Sequence, residues 1–290
     1  MSKASGPGAD GATTPGDGGE QLVPGSDGEL ITQAEAQRLH RLAIYCAFPP
    51  KPSTDAAVSF LQGGHELVHF GGFHRQLATR MDETLKIFLG DATHEEGGKV
   101  INYTKIADHY LPMMSELILT RSVDILLTYV ARLMALIFTT KPETLRSKSQ
   151  VEVEYILSFD SREEMLTALA DDEVNRLAYL GMRQLAENLE KKLGLPLFPQ
   201  KTDLGHAIDV IEARNLIVHN AGIVNRTYLK RQPHSTQQLG EQIKIASPTE
   251  APAFLAHAVV DIDARAIAKF GLPTYDGKPP ERMCYRMGAA

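Results

Sequence analysis

Three polar side chains interrupt an apolar helical run in the C-terminal third of the chain, and their chemistry suits work on phosphate esters. Arg214 and Asn215 are adjacent, and His219 follows the asparagine at a spacing of i, i+4. A guanidinium binds phosphate oxygens through paired hydrogen bonds, an amide can orient an imidazole, and an imidazole moves protons near neutral pH. The spacing of Asn215 and His219 lets these two side chains meet on one helix face.

The helix that must position these residues is predicted from Asp203, a plausible N-cap, to near Asn220, with Gly222 suited to the turn that follows. The residues that share one stripe of this helix, at about 100° per residue, are Leu204, Ile208, Ile211, Asn215 and His219. We expect this stripe to be buried, and Arg214 to lie on a flank about 100° away. An unpaired buried polar group costs about 1–3 kcal/mol, so either the core or a ligand must satisfy the amide and the imidazole.

The segment RNLIVH, at 214–219, resembles the R-[polar]-x3-H motif of the HEPN superfamily, whose name stands for higher eukaryotes and prokaryotes nucleotide-binding. The continuation HNAGIVNRTYLK is similar to that family as well. So is the preceding pattern, in which a long apolar helix is followed by TTKPETLRSK and then by YILSFDSREEMLTALADDEVNRLAYLGMRQLAENLEKKLGLPLF. The resemblance covers roughly residues 105–270.

The resemblance implies a helical domain that dimerises and cleaves RNA without a metal or cofactor, by attack of the 2′-hydroxyl that leaves a cyclic phosphate. The catalytic residues would be Arg214, Asn215 and His219, in a composite site formed by two motif helices. The implied partners are RNA, a second copy or a higher homo-oligomer, and an inhibitor or regulatory protein in a toxin or antiviral defence setting. A non-catalytic RNA- or nucleotide-binding and dimerisation module is the alternative.

A short basic segment follows the motif and supplies the predicted RNA contacts. These are Asn220, Arg226, Tyr228, Lys230 and Arg231. Cations with an aromatic ring between them are typical of a small phosphate and base contact patch. A basic surface loop is the alternative interpretation.

A second motif, HELVH, contains His65, Glu66 and His69 at the spacing of a zinc hydrolase. On a helix this spacing places two imidazoles on one face, with the glutamate as general base. We expect the glycine pairs at 63–64 and 71–72 to confine the motif to about two turns, and the sequence does not single out a third ligand. The prediction is therefore no metal site, with a zinc hydrolase as the less favoured alternative.

Composition limits the class of protein. The chain has 290 residues, 43% of them hydrophobic, and a net charge of −6, which argues against attraction of nucleic acid to the whole surface. Two distant cysteines, Cys46 and Cys284, give no disulfide framework. The N-terminus has no apolar signal region, and the apolar run 125–138 contains Arg132 and is short for a membrane span. We expect a soluble, cytoplasmic protein without a membrane partner.

Nearly every regular pattern is helical, which predicts an all-α fold: a HEPN-like helical bundle with an N-terminal helical extension and a disordered N-terminal tail. The predicted units are a tail or linker at 1–29, the extension at 30–100, the HEPN-like domain at 101–272 and a C-terminal tail at 273–290. Helices are expected at 30–43, at 55–61, from 73 or earlier to 89, and at 104–138, 203–220 and 252–270, with a polar loop at 91–99. Ser161 and Glu164 form a capping box, and a change of apolar phase predicts a helix break at Gly181. At 151–155 a brief helix or turn is favoured over a short strand, and 242–246 is a candidate for a short strand.

Overall fold

The structure, a computed structural model, describes residues 22–24, 30–32, 52–89, 95–96, 99–100, 102–145, 151–178, 180–245 and 249–276. Within these residues the fold is all-α, as predicted. The helices are α1 Asp55–Leu89, α2 Tyr103–Thr140, α3 Val153–Leu157, α4 Arg162–Ala178, α5 Met182–Leu193, α6 Lys201–Asn220, α7 Arg226–Arg231 and α8 Glu250–Phe270, with a 3₁₀ turn at Pro142–Leu145. Two short antiparallel pairs join β1 Leu22–Pro24 to β2 Leu30–Thr32, and β3 Glu95–Glu96 to β4 Lys99–Val100.

The central helix is α2, which packs against α1, α4, α6 and α8. Its middle is apolar on nearly every side, and Val123, Tyr129 and Ile137 are buried in the main core. Among the described residues α2 is the one helix long and apolar enough to cross a membrane, but the core helix of a soluble protein has the same length and composition. The absence of a membrane partner therefore stays a prediction.

Helix α1 is one continuous helix of 35 residues, so the prediction of two helices separated by glycines is wrong. Two of the four glycines, Gly63 and Gly71, face side chains of α2, and Gly71 makes the closer approach. A Cβ on Gly63 would lie 3.6 Å from Ile125 Cδ1, and a Cβ on Gly71 would lie 2.9 Å from Ile118 Cδ1. The absence of a side chain therefore serves close helix packing here, and packing outweighs the roughly 1 kcal/mol that a glycine costs inside a helix.

The α1–α2 hairpin is antiparallel, and its register is fixed by Asp82. The carboxylate of Asp82 accepts hydrogen bonds from the backbone N–H groups of Tyr103, at 2.8 Å, and Thr104, at 2.9 Å. These N–H groups belong to the first turn of α2, where they have no partner within the helix. Burial acts to raise the pKa of Asp82, but the hydrogen bonds from Thr104 and Tyr103 outweigh it and the pKa is lowered.

A buried polar contact joins the start of α1 to α8. Asp263 accepts hydrogen bonds from Thr54 N at 2.8 Å and Thr54 Oγ1 at 2.6 Å. The Tyr129 hydroxyl lies 3.5 Å from the same carboxylate. Burial raises the pKa of Asp263. The residues around this contact belong to one core that extends from Ala56 to Leu272, so α1 begins inside the same core as the motif helix.

Several local predictions are confirmed, and others are corrected. Glu164 N donates to Ser161 Oγ at 3.0 Å, which is one half of the predicted capping box, and Gly181 separates α4 from α5. The favoured short helix at 151–155 is present as α3. The helix predicted from residue 30 is wrong at Leu30–Thr32, which form β2, and residues 33–43 lie outside the described residues. In the tail at 1–29, Leu22–Pro24 form β1, and the other residues lie outside the described part. The loop predicted at 91–99 overlaps the β3–β4 pair, which ends at Val100. At 242–246, an isolated bridge pairs Gln242 with Ile223.

Candidate functional site

The motif residues lie in the last two turns of α6. This helix begins at Lys201, with Gln200 as its N-cap, so Asp203 is in the first turn and the predicted N-cap position is wrong by three residues. A carboxylate in the first turn still faces the positive end of the helix dipole. The buried side chains near the middle of α6 are Ala207, Val210 and Ile211, which pack in the main core.

Arg214 continues this buried side and meets α2. Its Nη2 donates to Asp124 Oδ1 at 2.7 Å, and its Nη1 donates to Asn215 Oδ1 at 3.2 Å. The side chains of Arg214 and Asp124 are 22% and 34% exposed, so the ion pair is partly shielded from water. Arg214 Nε is buried and has no hydrogen-bond partner among the described residues. The guanidinium thus connects the motif helix to the central helix and also orients its neighbouring amide.

The burial predicted for the motif helix is wrong by about a quarter turn. Asn215 is only half-buried and His219 is exposed, whereas Arg214, expected on a flank, points towards α2. An arginine can occupy this position because its methylene stem packs against apolar side chains while Asp124 binds its charged head. The core therefore does not enclose His219, and the imidazole faces solvent at the end of the helix.

The end of α6 is held by a turn and by one glutamine. Ala221 and Gly222 have positive φ values of 50° and 75°, and Gly222 N donates to Leu216 O at 3.1 Å. Gly222 was predicted for this turn, and a Cβ there would run into Gln242 Nε2. The same Nε2 donates to Glu116 Oε1 of α2 at 2.9 Å. This contact joins the segment after the motif to the central helix.

The predicted RNA contacts separate into two groups. Tyr228 is half-buried against the small cluster of Leu216, Val224 and Ile243, and Asn220 Nδ2 donates to the carbonyl oxygen of Ile223. Those two residues therefore have structural partners. The remaining three, Arg226, Lys230 and Arg231, are exposed cations of α7. Arg231 forms an ion pair with Glu212 at 3.2 Å.

The HELVH motif lies within continuous helix, so the expected confinement by glycines is wrong. The rings of His65 and His69 are 4.1 Å apart between centroids. Burial, and then the neighbouring His69, lower the pKa of His65, while Glu66 opposes them. Among the described residues, however, no group of three or more His, Cys, Asp or Glu side chains is placed to hold a metal ion. The motif supplies two imidazoles and a carboxylate, without a third ligand from that part of the chain.

Sequence reasoning missed the partners of the motif on other elements. Asp124 holds Arg214, and Glu116 holds Gln242. The sequence does indicate that Asp124 has a partner, because it is a lone carboxylate in an apolar stretch, between Val123 and Ile125. A charge in such a stretch requires a partner, and Arg214 is that partner.

Comparisons with known proteins return no match: no protein-family model, no curated protein and no solved structure matches this chain.

Proposed function

We propose that this chain is a metal-independent endoribonuclease of the HEPN type, acting as a homodimer or higher homo-oligomer under the control of an inhibitor or regulatory protein. The observation that carries the proposal is the grouping of Arg214, Asn215 and His219 at the end of α6. There a guanidinium orients an amide, and an exposed imidazole follows one turn later. The site of RNA contact would be local, because the chain carries a net charge of −6.

Each of the three side chains has a role that fits its surroundings. Because Asn215 Oδ1 accepts from Arg214, the amide NH₂ group is turned away from the guanidinium and can donate to a phosphate oxygen. His219 can transfer protons at the 2′-hydroxyl or at the 5′-oxygen that leaves. Arg214 adds positive charge near the phosphate and holds Asn215 in place.

The geometry of α6 favours a site composed of two copies. Arg214 and His219 are five residues apart, which separates their directions by about 140° around the helix. The arginine is turned to Asp124, whose side chain is itself 34% exposed on α2, and the histidine is exposed in another direction. One helix cannot easily direct both groups at one phosphate, whereas the apposed helices of a symmetric dimer can.

The exposed cations Arg226 and Lys230 supply the RNA contacts next to the site. Contacts of this kind bind the phosphate backbone and carry little sequence information. Substituting Lys230 should therefore weaken RNA binding and reduce its salt dependence, with the sequence preference unchanged.

The test is cleavage of labelled RNA by the wild type, His219→Ala, His65→Ala and His234→Ala, each with and without EDTA. His234 is the matched control because it is also an exposed histidine, located after α7. We expect activity that resists EDTA, is lost in His219→Ala and persists in His234→Ala. RNA that is bound but never cut would assign the chain to the non-catalytic binding modules. Activity that requires metal and is lost in His65→Ala would assign it to the zinc hydrolases.

A further inference from the structure

The distal part of the α1–α2 hairpin carries a large apolar surface that the rest of the described chain leaves uncovered. Eight side chains form it, with 38% to 61% of each exposed, and together we call them the hairpin face: Phe70, Phe73, Leu77 and Met81 of α1, and Ile106, Tyr110, Met113 and Leu117 of α2. The α2 residues are spaced by four, three and four positions and the α1 residues by three, four and four. Such spacings are typical of the contact seam of a helical bundle.

All eight side chains lie on the same side of the hairpin. The helices contact each other at Gly71 on α1 and Ile118 on α2, and the buried Ala78 lies on the same side of α1 as Gly71. On each helix the exposed apolar stripe lies about a quarter turn around the helix axis from this contact. The rotation has the same sense on both helices when each is viewed from its own N-terminus. Because the helices are antiparallel, equal rotations place both stripes on one side. The hairpin therefore presents one continuous apolar face, two helices wide.

The extent of the hairpin face suits a stable interface between proteins. Large side chains that are about half exposed contribute on the order of 700 Å² in total. The largest apolar patch of a typical monomer covers about 300–600 Å², whereas a specific protein interface buries about 600–1,000 Å² on each partner. The hairpin face thus reaches the size that one side of a specific complex requires.

The charges of the hairpin indicate which partner fits. Its two segments, 64–89 and 102–121, contain equal numbers of acidic and basic residues, namely Glu66, Asp82, Glu83, Asp108 and Glu116 against Arg75, Arg80, Lys86, Lys105 and Arg121. A surface that binds membranes or nucleic acid usually carries an excess of Lys and Arg. A balanced surface meets a copy of itself without net repulsion, and two-fold symmetry pairs such a patch with itself.

We propose that the hairpin face docks against the same face of a second copy of this chain, forming an intermolecular four-helix bundle. This docking needs no nuclease activity, but it adds an interface to the proposed function. Asp124, which holds Arg214, lies two helical turns beyond Leu117 on the same side of α2, or about 10 Å along the helix. The bundle therefore places both motif helices on the side of the protomers that faces the two-fold axis.

The test measures the mass of the full chain in solution by sedimentation equilibrium at several micromolar concentrations. We expect twice the chain mass of 31.8 kDa for the wild type. Phe73→Glu and Met113→Glu should each raise the dimer dissociation constant by roughly thirtyfold or more, because each introduces a charge into a desolvated contact. Gln76→Glu is the matched control: it adds the same charge at an exposed position of α1 outside the hairpin face, and the dimer should persist.

The proposal is overturned by a wild type that remains monomeric, or by a dimer that persists unchanged in both glutamate variants. Binding of the monomeric wild type to phosphatidylcholine vesicles would assign the face to a membrane and also overturn it. Hydrogen exchange of the wild type at low and high protein concentration is a second test, and it requires no variant to fold. Protection of 70–81 and 106–117 must increase with concentration. A dimer of this kind without RNA cleavage would refute the nuclease proposal alone.

Discussion

The ion pair between Arg214 and Asp124 can be tested by a double-mutant cycle with Asp124→Ala, Arg214→Met and the combined variant. Removing the carboxylate leaves a partly buried guanidinium without its acceptor on α2, and methionine retains the apolar stem of Arg214 without its charge. Exposed ion pairs contribute about 0.2–1 kcal/mol, whereas breaking a fully buried pair costs about 3–5 kcal/mol. The side chains here are 22% and 34% exposed, which places this pair between those limits.

We therefore expect a coupling energy of about 1–2 kcal/mol between the two positions. Asp124→Ala alone should lower the melting temperature by about 2–8 °C, since each 1 kcal/mol corresponds to about 2–4 °C in a protein of this size. The combined variant should be less destabilised than the sum of the single variants. The coupling energy is measured by urea unfolding and the melting temperature by thermal unfolding, both followed by circular dichroism for all four proteins.

Asp209→Ala is a suitable control, because it removes an exposed carboxylate from α6. It should change the free energy of unfolding by less than about 0.5 kcal/mol. Single variants whose effects add to within about 0.5 kcal/mol would refute the reasoning, since the contact between α6 and α2 would then contribute nothing measurable.

Three further predictions concern stability. Hydrogen bonds from Arg176 and from Lys192 lower the pKa of Glu173 to about 2, so its stabilising effect should be present above the ordinary value of 4.5 and lost as the pH falls towards 2; the difference in melting temperature between the wild type and Glu173→Gln should shrink over that range. Gly222→Ala should lower the free energy of unfolding by about 1–2 kcal/mol, because the residue has a φ of 75°. Ala221→Gly should raise it by about 0.5–1 kcal/mol, because Ala221 also has a positive φ, of 50°; chemical unfolding measures both changes. Asp263→Ala should lower the free energy of unfolding by about 2–4 kcal/mol, and Asp263→Asn should lower it much less, because the amide oxygen can still accept a hydrogen bond from Thr54. Equal losses for the two variants in thermal unfolding would contradict this.

The features that the sequence predicted well depend on neighbours in the chain. The capping box at Ser161 and the break at Gly181 are set by residues within a few positions, and the same holds for the turn at Gly222. The long apolar run of α2 also predicts a buried central helix, because it contains few polar residues that could face water. Local chemistry is sufficient for such elements.

The features that the sequence did not predict depend on contacts between distant segments. A glycine can end a helix, or it can let the helix pack closely against a second helix, and which of these occurs depends on the residue that faces it. At Gly71 that residue is Ile118 of α2. The buried side of α6 was misplaced because Arg214 has its acceptor, Asp124, on another helix. Without that acceptor the periodicity favours the apolar stripe through Ile208, which places His219 in the core instead of on the surface.

The hydrogen bonds of Asp82 have a consequence for the covalent route of the chain. They fasten the end of α1 to the first turn of α2 directly, through the N–H groups of Tyr103 and Thr104. The connecting peptide is then not needed to keep the two helices in register. Proteolytic cleavage between Leu89 and Asn102 would leave this fastening in place, so the cleaved protein should keep α1 and α2 paired.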